Sequence, residues 1–158
     1  MRLDHIAYRV TDRHKTAEFL RAILDYSKST EFQIEFDDKS TAQCVVLEPF
    51  ISGQPEVFIS NGSPGSIVDK WVKERNGGGV HHIAYSTGSI EEKVEEWKAH
   101  GIEFLTENII DCPEDDMRQI FTKPIDYLGG IIIELIDRGD KGFCQNNVKN
   151  LMNSTKGL

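Results

Sequence analysis

The sequence predicts an α+β chain made of two tandem βαβββ modules, and three observations carry that prediction. The residues His-Ile-Ala-Tyr occur twice, starting at His5 and at His82, 77 positions apart in a chain of 158. A helix-start residue, Asp12 or Ser89, follows each histidine after seven positions. A glutamate comes later at nearly matched distances, Glu56 at 51 positions beyond His5 and Glu134 at 52 beyond His82. A chain that repeats an imidazole and a carboxylate in both halves is suited to building one metal site across a pseudo-twofold axis.

Residues 3–10 alternate around His5 and read as a strand. If His5 points inward, so do Leu3 and Ala7, with Ile6, Tyr8 and Val10 on the other face. Asp12 can cap a helix over 13–25, with Ala17, Leu20 and Ile23 or Leu24 as its apolar stripe. Strands follow at 28–36, 42–47 and 56–60, with a turn at Asp37-Asp38-Lys39-Ser40. Ser66 can cap a helix carrying Ile67, Val68, Trp71 and Val72, and Gly77-Gly78-Gly79 reads as the hinge between the halves.

The second half repeats the order. Residues 80–86 are a strand, and Ser89 with Glu92 forms a capping box for a helix bearing Ile90, Val94 and Trp97. Gly101 suits the position after its last turn. Strands are expected at 102–107, 117–123 and 130–137, then a short helix over Val148, Leu151 and Met152 and a fraying end from Ser154. The expected organisation is one domain, 1–158: module one 1–62, a linking helix 63–78, module two 79–138 and a tail 139–158.

At 39% hydrophobic residues the chain can bury one good core. A net charge of −8 without a run of Lys or Arg argues against a nucleic-acid partner. Cys44, Cys112 and Cys144 are odd in number and form no CxxC pair, so free thiols in a reducing compartment are expected. The chain opens straight into a strand-like run, and no apolar stretch approaches ~18 residues. A cytoplasmic protein without a membrane partner is the reading.

His5, His82 and Glu134 are the primary candidate metal ligands. Imidazole nitrogen and carboxylate oxygen suit a catalytic divalent ion, and three protein ligands leave positions open for substrate or water. Glu134 sits in Ile131-Ile132-Ile133-Glu134-Leu135-Ile136, where a carboxylate is costly unless paired, solvated or bound to a cation. A single strand histidine is more often structural than ligating; the repeat and the acid outweigh that here. Glu56 is a fourth ligand or an exposed strand-start residue. Four ligands would suit proton transfer with one glutamate as base, and three would suit oxygen activation on Fe(II). His81 must face away from His82, while His14 and His100 read as solvated helix residues. Gln119 and Phe121 alternate on a late strand and can touch a substrate or simply pack the sheet. Phe58 and Ser60 alternate with Glu56, and Cys44 is a cavity-lining residue or a buried inert thiol. Glu91, Glu92, Glu95 and Glu96 form a solvated helix face, and Glu114-Asp115-Asp116 a turn; neither is assigned a role.

These residues resemble the vicinal oxygen chelate superfamily, which includes glyoxalases, bleomycin-resistance proteins and extradiol dioxygenases. The resemblance covers essentially the whole chain and implies one cupped mixed sheet with helices outside, around one divalent metal (Zn, Ni, Co, Mn or Fe(II)) that binds adjacent substrate oxygens. It implies a small-molecule substrate and leaves room for a homodimer. Three branches are similar. In the methylmalonyl-CoA epimerase pattern, His, Gln, His and Glu fall on His5, Glu56, His82 and Glu134, with Glu replacing Gln. That epimerase's base-bearing Glu-Gln-Gly segment falls near Lys39-Ser40-Thr41. Glyoxalase I has a His-Glu-His-Glu set and a similar first strand. Gln119-Ile120-Phe121-Thr122-Lys123-Pro124, then Gly142-Phe143 and Asn147, resemble the metal-binding domain of 4-hydroxyphenylpyruvate dioxygenase. There Gln119 and Phe121 would line the substrate pocket, and Val148 would replace a late pocket Phe. The repeated glutamate favours a metal-dependent lyase or isomerase doing proton transfer on a carbonyl or thioester, with Glu56 or Glu134 as the catalytic base. A dioxygenase and a non-catalytic small-molecule binding protein are the alternatives.

Overall fold

The computed structural model describes all 158 residues. It divides into two compact units, His5–His81 with Gly157–Leu158, and His82–Lys156 with Met1–Asp4. In the first unit, β1 (Arg2–Val10) leads into α1 (Arg13–Leu24). Then come β2 (Tyr26–Glu35), β3 (Thr41–Pro49), β4 (Glu56–Gly62) and α2 (Ile67–Glu74). The strand order is β2-β3-β4-β1, with β1 parallel to β4 and the other pairs antiparallel.

Asp12 starts α1 as expected, its side chain accepting from the backbone N–H groups of His14 and Lys15. Ala17 and Leu20 pack on Tyr26, Val45, Leu47, Val57 and Ile59, with Tyr8 and Val10 alongside. A fully buried Leu of this kind contributes about 1.5–3 kcal/mol. Strand parity leaves His5, Cys44, Val46, Glu56 and Phe58 on the sheet face that α1 does not cover. The expected stripe was too wide: Ala17 and Leu20 enter the core, whereas Ile23 is 62% exposed and Leu24 is 55% exposed. Ser66 caps α2 through the N–H of Asp69.

Of the three glycines, Gly77 lies in the turn after α2, and Gly78 and Gly79 begin β5 (Gly78–Ser86). Gly78 has φ +91°, and a Cβ there would collide with the Arg9 carbonyl oxygen. Only glycine fits that approach.

The second unit continues with α3 (Ile90–Ala99), β6 (Ile110–Asp111), β7 (Arg118–Phe121), β8 (Ile132–Asp137) and α4 (Gln145–Ser154). Its strand order is β5-β8-β7-β6, with β5 parallel to β8. Ile90 and Val94 of α3 pack on Ile120 and Leu135, again opposite the face carrying Glu134. Four expectations fail here. Residues 102–107 form no strand: one bridge joins Phe104 to Thr122, then a turn with Thr106 Oγ1 donating to the Asn108 carbonyl at 2.8 Å ends the pairing. Ser89 makes no side-chain cap, so the capping box is absent. Thr155 is buried rather than frayed, its hydroxyl donating to the Met152 carbonyl at 2.7 Å. Cys112 and Cys144 are joined in a disulfide with Cα atoms 6.2 Å apart, within bridging range, so only Cys44 is a free thiol. A 32-residue separation hides such a pair from sequence spacing. No helix is long and apolar enough to cross a membrane.

Candidate functional site

In the second unit, parallel register places Ala84 of β5 beside Glu134 of β8, and His82 two residues before Ala84 shares its face. Ala84 is small and fully buried, packed with Met117 and Ile136. His82 Nε2 and Glu134 Oε2 stand 3.1 Å apart, with the Glu134 side chain 1% exposed. Both atoms are good ligands for a divalent ion. An unprotonated imidazole lone pair facing a carboxylate oxygen is stabilised only by a proton or cation between them, so this pair fits a metal by its chemistry.

Strand β7 holds the carboxylate from the other side. Gln119 Nε2 donates to Glu134 Oε1 at 2.6 Å in a buried contact. Phe121, paired in register with Glu134, lies with its ring centroid 4.6 Å from that of His82. Gln119 is oriented in turn by α4: Asn147 Nδ2 donates to Gln119 Oε1 at 3.0 Å. With its oxygen engaged by Asn147, the Gln119 amide presents its N–H to the glutamate. The same Asn147 Nδ2 lies 3.3 Å from the Met117 carbonyl and 3.4 Å from that of Ile110. Asn147 is fully buried on the apolar side of α4 beside Val148, Leu151 and Met152. Sequence reading did not select it as a site residue. The signal was there: an amide lying within the apolar spacing of a short helix needs a partner.

In the first unit, His5 is 1% exposed and lies opposite Glu56 in the parallel register of β1 and β4. Partners in register share a face, so the half-buried Glu56 lies on the His5 side. Phe58 pairs with Ala7 and Ser60 with Arg9, continuing that face away from Glu56. Both Phe58 and Ser60 are buried, and Phe32 meets Phe58 edge-on at 6.0 Å. Cys44 pairs with Ser60 and is 0% exposed; burial pushes its thiol up to about 12. That is the inert form of a cysteine. Arg9 was also passed over: it is buried, and burial with the nearby Arg75 pulls its guanidinium down to about 9. His81 faces away from the His82 side as expected, its ring 5.1 Å from Trp71. His14 and His100 are exposed.

Residues 4–121 match the model of the glyoxalase/bleomycin resistance protein/dioxygenase superfamily. The chain belongs to that superfamily. Among solved structures, a triple mutant of 4-hydroxymandelate synthase from Streptomyces coelicolor is 23% identical with a TM-score of 0.85, over 98% of this chain and 53% of that one. The present chain thus spans about half the length of the synthase. Methylmalonyl-CoA epimerase from Mycobacterium tuberculosis is 21% identical with a TM-score of 0.68, over 88% of this chain and 89% of that one. A methylmalonyl-CoA epimerase in complex with methylmalonyl-CoA and NH4+ is 24% identical with a TM-score of 0.64, over 86% and 93%. These likenesses show the fold, α+β of the vicinal oxygen chelate type.

Proposed function

We propose that this superfamily member is a divalent-metal enzyme in which His5, His82 and Glu134 hold the ion, acting on a small substrate with adjacent oxygen atoms by oxygen chemistry. The observation that carries the reading is the fixing of Glu134. With Oε1 accepting from Gln119 at 2.6 Å, Oε2 beside His82 is the oxygen presented for ligation, and the hydrogen bond opposes the side chain swinging away as a base. Two imidazoles and one such carboxylate make the three-ligand face suited to Fe(II) and oxygen. The repeat of His82 at His5, and the near-complete burial of His5, support its inclusion with the other two donors. This reverses the weight that the repeated glutamate carries in the sequence.

Bound Fe(II) would supply one-electron reactivity toward O2 and a chelation point for the substrate oxygens. The chain's own residues do the rest. Gln119 and Asn147 keep the glutamate oxygen aimed. Phe121 covers the His82 ring and excludes water, and Phe58 and Ser60 offer an apolar wall and one hydroxyl to the substrate. A second reading, proton transfer, is favoured by one observation: Glu56 stands in register with His5 on the same face. As a base it would take a proton from carbon next to a carbonyl.

The test is anaerobic loading with Fe(II), followed by oxygen-uptake measurements with a panel of small 2-oxo acids. Uptake in the wild type that disappears in Glu134→Ala and persists in Glu56→Ala is the expected result. Solvent deuterium entering an acyl-CoA or hemithioacetal without oxygen, and lost in Glu56→Ala, would transfer the assignment to proton transfer. A purified protein that takes up no stoichiometric metal would overturn both and leave a binding protein.

A further inference from the structure

We propose that Cys112 and Cys144 are a reversible thiol–disulfide pair whose oxidation state sets how firmly Asn147 holds Gln119, and through it the Glu134 carboxylate. The bridge joins two places that matter to that amide. Cys112 directly follows β6, and Cys144 is the residue preceding α4. Asn147 sits one helical turn beyond Cys144 and donates to the carbonyl of Ile110, two residues before Cys112. The covalent bond and the Asn147 amide therefore fasten the same helix start to the same sheet edge. No side-chain cap stabilises the start of α4. The segment leading to it is held by Asp115, which accepts from the N–H groups of Asp140 and Lys141.

The pair is also reachable. Cys112 and Cys144 are half-buried and line a surface cleft of about 400 Å³ with Glu114, Asp115, Lys141 and Phe143. Cys44 is the contrast: fully buried, with its thiol held protonated, it is silent toward thiol chemistry. A dithiol reductant balances the step. It transfers two electrons and two protons to the Cys112–Cys144 bond, which breaks to two thiols while the reductant closes its own disulfide; a disulfide oxidant runs the reverse. Opening the bridge restores loop freedom to the 31 residues between the cysteines and loosens the helix start first. Once Asn147 lets go, the Gln119 amide can turn its oxygen toward Glu134, and the carboxylate is no longer aimed.

The inference goes beyond the metal reading and is testable without it. Full-length protein, oxidised with diamide or reduced with dithiothreitol, is compared by alkylation mass and by hydrogen exchange. Expected are two reactive thiols on reduction, at Cys112 and Cys144 and not at Cys44, with exchange in residues 145–154 about tenfold faster and α1 unchanged. The double variant Cys112→Ser/Cys144→Ser should exchange like reduced wild type and ignore both reagents. Identical exchange in the two wild-type states, or thiols at 112 and 144 that stay free after diamide, overturns the proposal. Titration with Co(II) alone should show several-fold weaker binding in the reduced state. No Co(II) binding in either state, beside a clear exchange difference, sinks the metal reading and leaves this one standing. Equal Co(II) affinity in both states would overturn the link to Glu134.

Discussion

The two modules start from the same letters and treat their acids differently. Glu56 and Glu134 both lie on the last strand of a βαβββ module, parallel to the strand with the repeated histidine. Beyond each acid by two residues, Phe58 pairs with Val46 in the first module and Ile136 with Gln119 in the second. The position two residues beyond the acid thus faces a methyl-bearing side chain in one half and an amide in the other, although Glu56 lies opposite His5 and Glu134 opposite Ala84. Glu134 is sealed in and gripped by that amide, whereas Glu56 is half-buried. Duplication supplies the backbone frame, and within it Gln119 on the neighbouring strand fixes Glu134.

The largest expected effect comes from removing the fixed acid. Glu134→Ala should weaken Fe(II) or Co(II) binding by more than about 100-fold, beyond the usual loss for an outer partner of a ligand. Glu56→Ala should change it less than about tenfold, as expected for a residue outside the three-ligand set. Calorimetric titration of both variants checks the contrast, and equal losses would erase it. Next is Gln119→Leu, which replaces the amide beside Glu134 with an apolar side chain. Affinity should fall about 10–100-fold, the range for residues that orient ligands. The apoprotein should lose about 1–3 kcal/mol in urea unfolding, since both Glu134 Oε1 and the Asn147 amide lose a partner. Asn147→Ala should follow in the same direction with a smaller loss of affinity, because Gln119 remains present but free to turn.

The frame was legible because local patterns determine it. The alternation around His5 and His82, the Asp12 and Ser66 caps and the apolar spacing of α2 and α3 act within a few residues and are found where expected, while that of α1 holds at Ala17 and Leu20 but not at Ile23 or Leu24. The burial of Glu134 was legible too, from the apolar run around it. What escaped depends on distant partners. Gln119 was legible as a candidate substrate contact, but not its grip on Glu134 or the amide of Asn147, 28 positions later, that orients it. The Cys112–Cys144 bond and the Asp115 contacts to residues 140–141 have the same character: neither leaves a spacing rule in the chain. Residues 102–107 show the opposite error, a strand pattern defeated by the turn at Thr106.

The smallest effect probes how dry the first module's face is. Cys44 precedes Val46 on that face as Met117 precedes Gln119 on the other, and both are 0% exposed. Burial raises the Cys44 thiol from an ordinary 9 to about 12. Below pH 9 both folded and unfolded chains keep the proton, so there is no pH-dependent contribution. Between pH 9 and 12 the unfolded chain releases a proton that the folded chain retains, so stability falls as pH rises, by at most about 1.4 kcal/mol per unit. Cys44→Ala removes that slope; groups away from the thiol cancel between variant and wild type, whereas the buried Arg9, whose charge interacts with Cys44, shifts with it. The variant should be less stable at pH 7 by about 1 kcal/mol, for the small cavity. It should overtake the wild type near pH 10, as followed by urea unfolding with the disulfide kept intact. Parallel stability curves from pH 7 to 11 would mean that water reaches the thiol, and the contrast between a dry first face and a hydrogen-bonded second one would fail.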